Sequence, residues 1–387
     1  MKNFLLPIIF CLSALPLFPL DTIYTIIKKG DGSLGPGQPI LSLTAMENPE
    51  EALADFLDLG KTTVRHEGQV SYVSPVTGDG YIPVLAFHRI GNDRRLEITI
   101  ERFEALLVFL QQKDFHVISD FQLLDGDFTY VPGGSRPIVL GCDDGASGVF
   151  YYETEDRIKD SPFVEKQGEF IISRECMVYH LERYLPLEKG KRNFTFFVTF
   201  DAIPFRQTGG GYNPGPPYFG MPAVGAKLRY LSESFYLGNH TLHHYVSEVV
   251  GELEYLFELV GYYDVLRSYA VPTGGRSTLA YSYGIGNISS AREATVENFD
   301  YNGTTIAGAY DYNNEFTRPV DSGEVNIYDI PRVGVDNGNY HELLERLSGD
   351  SLYINRRVVL VKNLDFPFNR ISLELNERDR NFILIGD

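Results

Sequence analysis

From Tyr81 onward the chain alternates short apolar runs with helical patterns, and this alternation restricts its fold more than any other feature. Ile82–His88 (IPVLAFH), Phe115–Ile118, Pro137–Gly141 (PIVLG) and Asn193–Phe200 (NFTFFVTF) read as strands. Thr99–Lys113 reads as an amphipathic helix with Phe103, Leu106, Leu107 and Leu110 on one face. Arg174–Tyr184 and Ala223–Ser234 read as helices. Phe235–Gly238 reads as a strand, and His240–Val260 as a loop entering a long helix. Arg267–Val271, Ala294–Phe299 and Tyr328–Val333 are expected as further short strands. Parallel strands need crossover connections, so the alternation predicts an α/β fold with a mostly parallel sheet. Six or more such units favour a closed or nearly closed barrel, although periodicity alone does not separate a barrel from an open sheet.

The flanks read differently. Residues 1–20 are expected to be a signal peptide: Lys2 is followed by an almost wholly apolar run from Phe4 to Leu20, broken at Pro7, Pro16 and Pro19. The run is short for a permanent span, and no later stretch is long and apolar enough for one. Export to the periplasm, envelope or extracellular space is therefore expected, with a lipid anchor at Cys11 as the lesser reading. Residues 21–80 form an N-terminal extension or linker. It includes the Gly- and Pro-rich Gly30–Pro39 and a helix signature over Asn48–Leu59. Residues 81–350 are the main domain. Residues 351–387 are a C-terminal tail that alternates as strands do.

Composition narrows the function. Lys and Arg number 34 against 52 Asp and Glu, a net charge of −18, which repels a polyanion and argues against nucleic-acid binding. The three cysteines include no Cys-x-x-Cys pair, so neither a disulfide framework nor a cysteine metal site is expected. Phe200–Pro222 is too rich in Gly and Pro for regular structure. Its Tyr212, Tyr218 and Phe219 could stack on sugar faces or simply cap the domain.

Two clusters can carry chemistry. Asp143 and Asp144 directly follow the strand ending at Gly141, where an α/β barrel builds its active site. One acid of such a pair can hold a metal while its neighbour serves as a base, although an Asp-Asp-Gly turn is also common on surfaces. His240 and His244 are four apart, so on a helix their imidazoles would share a face and grip one ion. His243 would point elsewhere. Two imidazoles and a carboxylate leave coordination positions open, as catalytic zinc requires, and the same donors suit cobalt, nickel or iron. His88 ends a strand near the same face, where a structural hydrogen-bonded role is the plainer reading.

Four segments then occur in order: Tyr81–Ile90 (YIPVLAFHRI), Pro137–Gly145 (PIVLGCDDG), Asn193–Val198 (NFTFFV) and Leu237–His244 (LGNHTLHH). In them the chain resembles the polysaccharide deacetylase family (NodB-like, carbohydrate esterase family 4). Tyr269–Gly275, Phe299–Gly303 and Tyr328–Val333 are similar to a subgroup of it. The resemblance covers roughly residues 81–350. It implies a distorted (β/α) barrel and metal-dependent removal of acetyl groups from an N- or O-acetylated glycan. Asp143 matches the family's catalytic base, and Asp144, His240 and His244 match its ligands for a divalent metal, zinc by preference.

The departures from the pattern are specific. Gly141-Cys142 replaces the usual Thr-Phe, with Cys142 expected as a small space-filling group. With Ala270 and Thr273 in the places of the third motif's Arg and Tyr, the arginine that orients the base is missing. Arg267 and Arg276 are poor substitutes. There is no Trp, and the only His after His244 is His341, which reads as the start of a surface helix. Two alternatives stand beside the deacetylase: a catalytically impaired carbohydrate-binding or envelope protein on the same scaffold, and a metal hydrolase of another non-peptide C–N bond.

Overall fold

The computed structural model describes residues 61–362 apart from 69, 77, 94, 147, 152–171, 202–203, 206–220, 285–287, 321–324 and 350. It also describes strands at Ile8–Ile9, Thr22–Lys28, Leu34–Ser42 and Phe382–Ile385. The helix expected over Asn48–Leu59, most of the expected signal peptide, and Tyr212, Tyr218 and Phe219 lie outside the described residues.

The protein is mixed α/β with a central, mostly parallel sheet. Its nine strands are β1 (Val84–Phe87), β2 (Phe115–Ile118), β3 (Arg136–Asp144), β4 (Thr195–Val198), β5 (Tyr236–Asn239), β6 (Gly275–Ala280), β7 (Asp300–Tyr301), β8 (Thr304–Tyr310) and β9 (Val333–Gly334). The order is β7-β8-β6-β5-β4-β3-β1-β9, with β2 also paired to β3, and only β7 runs antiparallel to its neighbour.

The first crossover helix, α1 (Ile100–Gln112), shows how the sequence specifies the layers. The Thr99 side chain accepts the Arg102 amide at 3.3 Å and caps its start. Phe103, Leu106, Leu107 and Leu110 are all buried, each contributing about 1.5–3 kcal/mol of transfer free energy. α2 (Asp120–Leu124) opens on a Ser119–Gln122 capping box. The remaining helices are α3 (Met177–Tyr184), α4 (Met221–Ser234), α5 (Glu252–Ser268), α6 (Ser290–Glu297) and α7 (Tyr340–Leu347).

Strand residues alternate between two cores, as parallel strands buried on both faces must. Leu85, Phe87, Leu140, Phe196 and Val198 pack with the helices. Val84, Val139, Phe197, Ala280, Tyr310 and Ile330 meet on the other face. Phe197 on β4 and Tyr310 on β8 are three strands apart in the order, about 14 Å in a flat sheet. Their rings are nevertheless 5.7 Å apart, so the sheet is strongly curled. The two ends of the strand order are linked through residues 330–334: Ile330 bridges Tyr310 beside β8, and β9 pairs with β1 at Leu85 and Ala86.

Two expected strands are helical. Arg267–Val271 overlaps the end of α5, where Tyr255, Leu259, Tyr262, Tyr263 and Leu266 are buried at helical spacing. Ala294–Phe299 falls largely within α6, whose Ser289 cap accepts the Arg292 amide. In α5 the buried stripe, and in α6 the Ser289 cap, outweighs local strand propensity.

The flanks come together. Val358–Lys362 pairs antiparallel with Val70–Pro75 and parallel with Phe382–Ile385, within a second, seven-stranded sheet. Leu34–Ser42, read as part of a linker, is paired with Thr22–Lys28 in an interrupted register. The second sheet is pinned to the main core by Asn355, whose side-chain amide donates to the Phe128 and Val131 carbonyls at 3.0 and 2.7 Å. Among the described residues no helix is long and apolar enough to cross a membrane.

Candidate metal centre

The centre forms at the C-terminal ends of β3 and β5. Alternation along β3 puts Gly141 and Asp143 on the inner face with Val139. A Cβ at Gly141 would lie 3.1 Å from the Phe197 ring, and one at Gly238 only 2.3 Å from it. Gly141 therefore admits Phe197 into the interior, which accounts for the departure from Thr at that position. Cys142 points to the outer core, fully buried, its thiol pushed well up by burial and by the two acids beside it.

Asp143, 2% exposed, is held by a residue the sequence reading did not assign. Arg332 grips it with both terminal nitrogens, Nη1 to Oδ1 at 2.7 Å and Nη2 to Oδ2 at 2.8 Å. Burial alone would raise the Asp143 carboxyl. The Arg332 guanidinium, with His240 and His88, outweighs it and holds the carboxyl below its ordinary range. Arg332 is itself 1% exposed, its guanidinium 5.4 Å from the Phe197 ring and 5.8 Å from that of Tyr310. It comes from the linking segment 330–334. Arg267 and Arg276 are paired elsewhere, with Asp264 and Asp125. The signal was present in Tyr328–Val333, a strand-like stretch that carries a single arginine.

Asp144 adopts a left-handed backbone, φ +68°, and turns its side chain towards β5. Its Oδ1 lies 3.3 Å from His240 Nε2 and 3.2 Å from His244 Nε2, while the two imidazole nitrogens are 3.1 Å apart. These three residues are the only group of three or more His, Cys, Asp or Glu among the described residues with metal-ligand spacing. The two histidines do not share a helix. They follow β5 in a loop where Thr241 and His244 have φ of +61° and +57°. The left-handed turns, not an i, i+4 helical face, bring the rings together.

The loop is pinned from all sides. The Thr241 amide donates to Asn239 Oδ1 at 2.7 Å, and its hydroxyl contacts Ser282 at 3.1 Å. The His243 amide and Nδ1 both reach Glu258 on α5, at 2.6 and 2.8 Å, which leaves His243 outside the centre as expected. His240 Nδ1 contacts the Ala280 carbonyl at 2.8 Å, an arrangement that fixes the tautomer with the Nε2 lone pair aimed at Asp144.

The donor set fits a first-row divalent ion. With bonds of about 2.0–2.1 Å, the edge of a tetrahedral site is about 3.3 Å. The three separations here, 3.1–3.3 Å, match that edge. All three atoms could therefore bind one such ion at the same time. Burial raises the Asp144 carboxyl, but contacts with both imidazoles outweigh it and bring it well below its ordinary range. For His240, the pull of Asp143 and Asp144 outweighs burial and raises the imidazole.

Around these groups stand His88, Tyr283 and Tyr312. His88 Nε2 is 3.9 Å from Asp143 Oδ2, and its Nδ1 is buried with no hydrogen-bond partner. Its Nδ1 thus makes no structural hydrogen bond, while its Nε2 faces the Asp143 carboxylate. Burial lowers its pKa. Tyr283, 65% exposed, covers the His244 ring at 4.5 Å, and Tyr312 meets His88 edge-on at 5.8 Å. The Tyr269–Gly275 segment lies before β6, at the far end from Ala280. Tyr281–Tyr283, just beyond Ala280, is what borders the histidines. His341 is exposed at the start of α7.

No protein-family model matches the chain, and no curated protein does. Several solved structures resemble it at low identity. The Streptococcus pyogenes deacetylase PplD, solved in complex with acetate, is 13% identical at a TM-score of 0.44, covering 70% of this chain and 100% of its own. IcaB from Ammonifex degensii is 16% identical at 0.44, covering 70% and 99%. A de-N-acetylase from Aggregatibacter actinomycetemcomitans is 13% identical at 0.43, covering 68% and 99%.

Proposed function

We propose that the chain is an exported, metal-dependent hydrolase that removes acetyl groups from an N- or O-acetylated glycan. One observation carries the reading. A buried carboxylate clamped by an arginine stands next in sequence to a carboxylate that converges with two imidazoles, Asp143 beside Asp144, His240 and His244. The order of these residues and their segments resembles the polysaccharide deacetylases, and the curled sheet linked through residues 330–334 supports a distorted barrel of that type.

Asp144, His240 and His244 would hold the divalent ion, for which zinc is the first choice. When bound, such an ion acidifies water and polarises an acetyl carbonyl. The protein's own groups do the rest. Asp143 stays ionised through neutral pH and accepts the proton of the attacking water. Arg332 fixes both its oxygens, so the carboxylate cannot rotate away. No late histidine reaches the site, so return of the proton to the leaving nitrogen or oxygen falls to Asp143 itself and to His88. The exposed ring of Tyr283 offers an apolar face for a pyranose at the rim.

Acetate release from chitooligosaccharides, peptidoglycan fragments and O-acetylated polymers tests the reading, run beside metal analysis of the purified chain. Wild type should release acetate with one of these. Asp143→Asn should lose about 10²–10⁴-fold in kcat while keeping its metal. An Asp143→Asn variant as active as wild type would remove Asp143 from its role. Binding of sugar without acetate release would leave the non-catalytic reading. Turnover of a cyclic amide alone would favour the other C–N hydrolase.

A further inference from the structure

A second pair of acids lies outside this centre, at the end of β8. Asp311 is 1% exposed, and both its carboxylate oxygens are sealed from solvent without a hydrogen-bond partner. Arg332 does not neutralise it by contact: its terminal nitrogens are bonded to Asp143, and its Nε reaches only the Asp311 main-chain carbonyl, at 3.4 Å.

Strand pairing places Asp329 diagonally across from Asp311, since the parallel register sets 309 against 329 and 311 against 331. Tyr310 bridges Ile330 in parallel, and the Asp311 amide donates to the Ile330 carbonyl at 2.9 Å. By the two-residue alternation of strands, positions 311 and 329 share the face opposite Tyr310 and Ile330. Asp329 Oδ1 is likewise buried and unpartnered. The nearby Tyr281 hydroxyl donates to the Tyr328 carbonyl at 3.0 Å. Burial pushes the Asp329 carboxyl up, and the charges of Asp311 and of Glu293 on α6 push it further.

A carboxylate sealed from water without donors, as that of Asp311 is and as one oxygen of the half-buried Asp329 is, must be neutralised, by a proton or by a cation. A single shared proton would leave one charge on the pair, with Glu293 adding another beside it. A divalent cation neutralises both carboxylates together. The donors are all oxygen, a set that suits a hard cation with flexible coordination. We infer that Asp311 and Asp329 form a second cation site, of the calcium-binding class, separate from the histidine centre. Occupancy would tie β8 to the turn that leads into Arg332.

The chain contains no Trp, so terbium emission is excited through tyrosine alone, and with 25 tyrosines present the variants assign it to the site beside Tyr281 and Tyr328. The full-length protein is titrated with terbium and back-titrated with calcium, as wild type, Asp144→Asn and Asp329→Asn. Thermal unfolding is followed with and without calcium. The expected result is saturable, calcium-displaceable emission in wild type and Asp144→Asn, weakened at least tenfold in Asp329→Asn. Calcium should raise Tm in the first two only. Equal responses in Asp329→Asn and wild type would assign the ion to surface acids and overturn the site. Absence of any calcium response, with Asp329→Asn raising Tm at neutral pH, would show a shared proton instead and overturn it too. Should Asp329→Asn fail to fold, the titration of Asp144→Asn still decides: emission that does not saturate, or that calcium does not displace, refutes the proposal.

Discussion

Arg332 and Asp143 form a fully buried, doubly bonded ion pair, and removing one partner of such a pair costs far more than the pair contributes. Arg332→Met should therefore destabilise the protein by about 3–5 kcal/mol, measured by denaturant unfolding. Arg332→Lys keeps the charge but not the two-point grip, and should lower kcat while retaining most of the fold. The sign of the pH effect follows from the depressed Asp143 carboxyl. Its contribution to stability is present above the unfolded carboxyl value, about 3.9, and is lost as pH falls through the still lower folded value. Asp143 should stay ionised well into the acid range, whereas Arg332→Lys should move the acid limb of the kcat/KM profile upward, read with metal content checked at each pH because protonation of His240 and His244 would also release the ion. An unchanged limb would remove the arginine from that role. At this scale the acids and histidines were legible because each is a rare residue type at a strand end. Arg332 was not, since its partner lies 189 positions away and only the fold joins them.

The loop after β5 shows how an element can be legible in identity but not in geometry. The spacing of His240 and His244 suggested a helical face, yet two left-handed residues produce the same convergence. Sequence gives no warning of this: Thr is a poor left-handed residue, and its conformation is imposed by Asn239, Ser282 and the Glu258 contacts to His243. Asn239→Ala leaves the Thr241 amide without its acceptor and should weaken metal affinity about 10–100-fold, measured by chelator competition. Affinity equal to wild type would mean that Thr241 and His244 hold their geometry without it. Helices with strong caps and wide buried stripes, α1 above all, were readable almost to the residue. The short α6 was not, because a single buried Val296 between polar residues carries little periodic signal.

For the whole molecule, the alternation of elements predicted the parallel sheet, while the joining of the two flanks could not be seen locally, because β pairing between distant segments leaves only a two-residue alternation in each. Deleting residues 351–387 should destabilise the main domain. It strips the Asn355 bonds to Phe128 and Val131, the Arg357 bond to Thr129, and the buried ring of Tyr353. With about 1 kcal/mol per hydrogen bond and about 1.5–3 kcal/mol for the ring, the loss is of order 5 kcal/mol, visible as a lower Tm or as insoluble product. A truncated chain as stable as the full one would show the tail to be an independent attachment. The segment 330–334 has a consequence of its own. The stretch that stitches the last strands of the sheet to the first also delivers the guanidinium that aims the base. Until residues 330–334 are seated, Asp143 thus lacks its ion-pair partner, so closing the sheet and completing the centre are one and the same event.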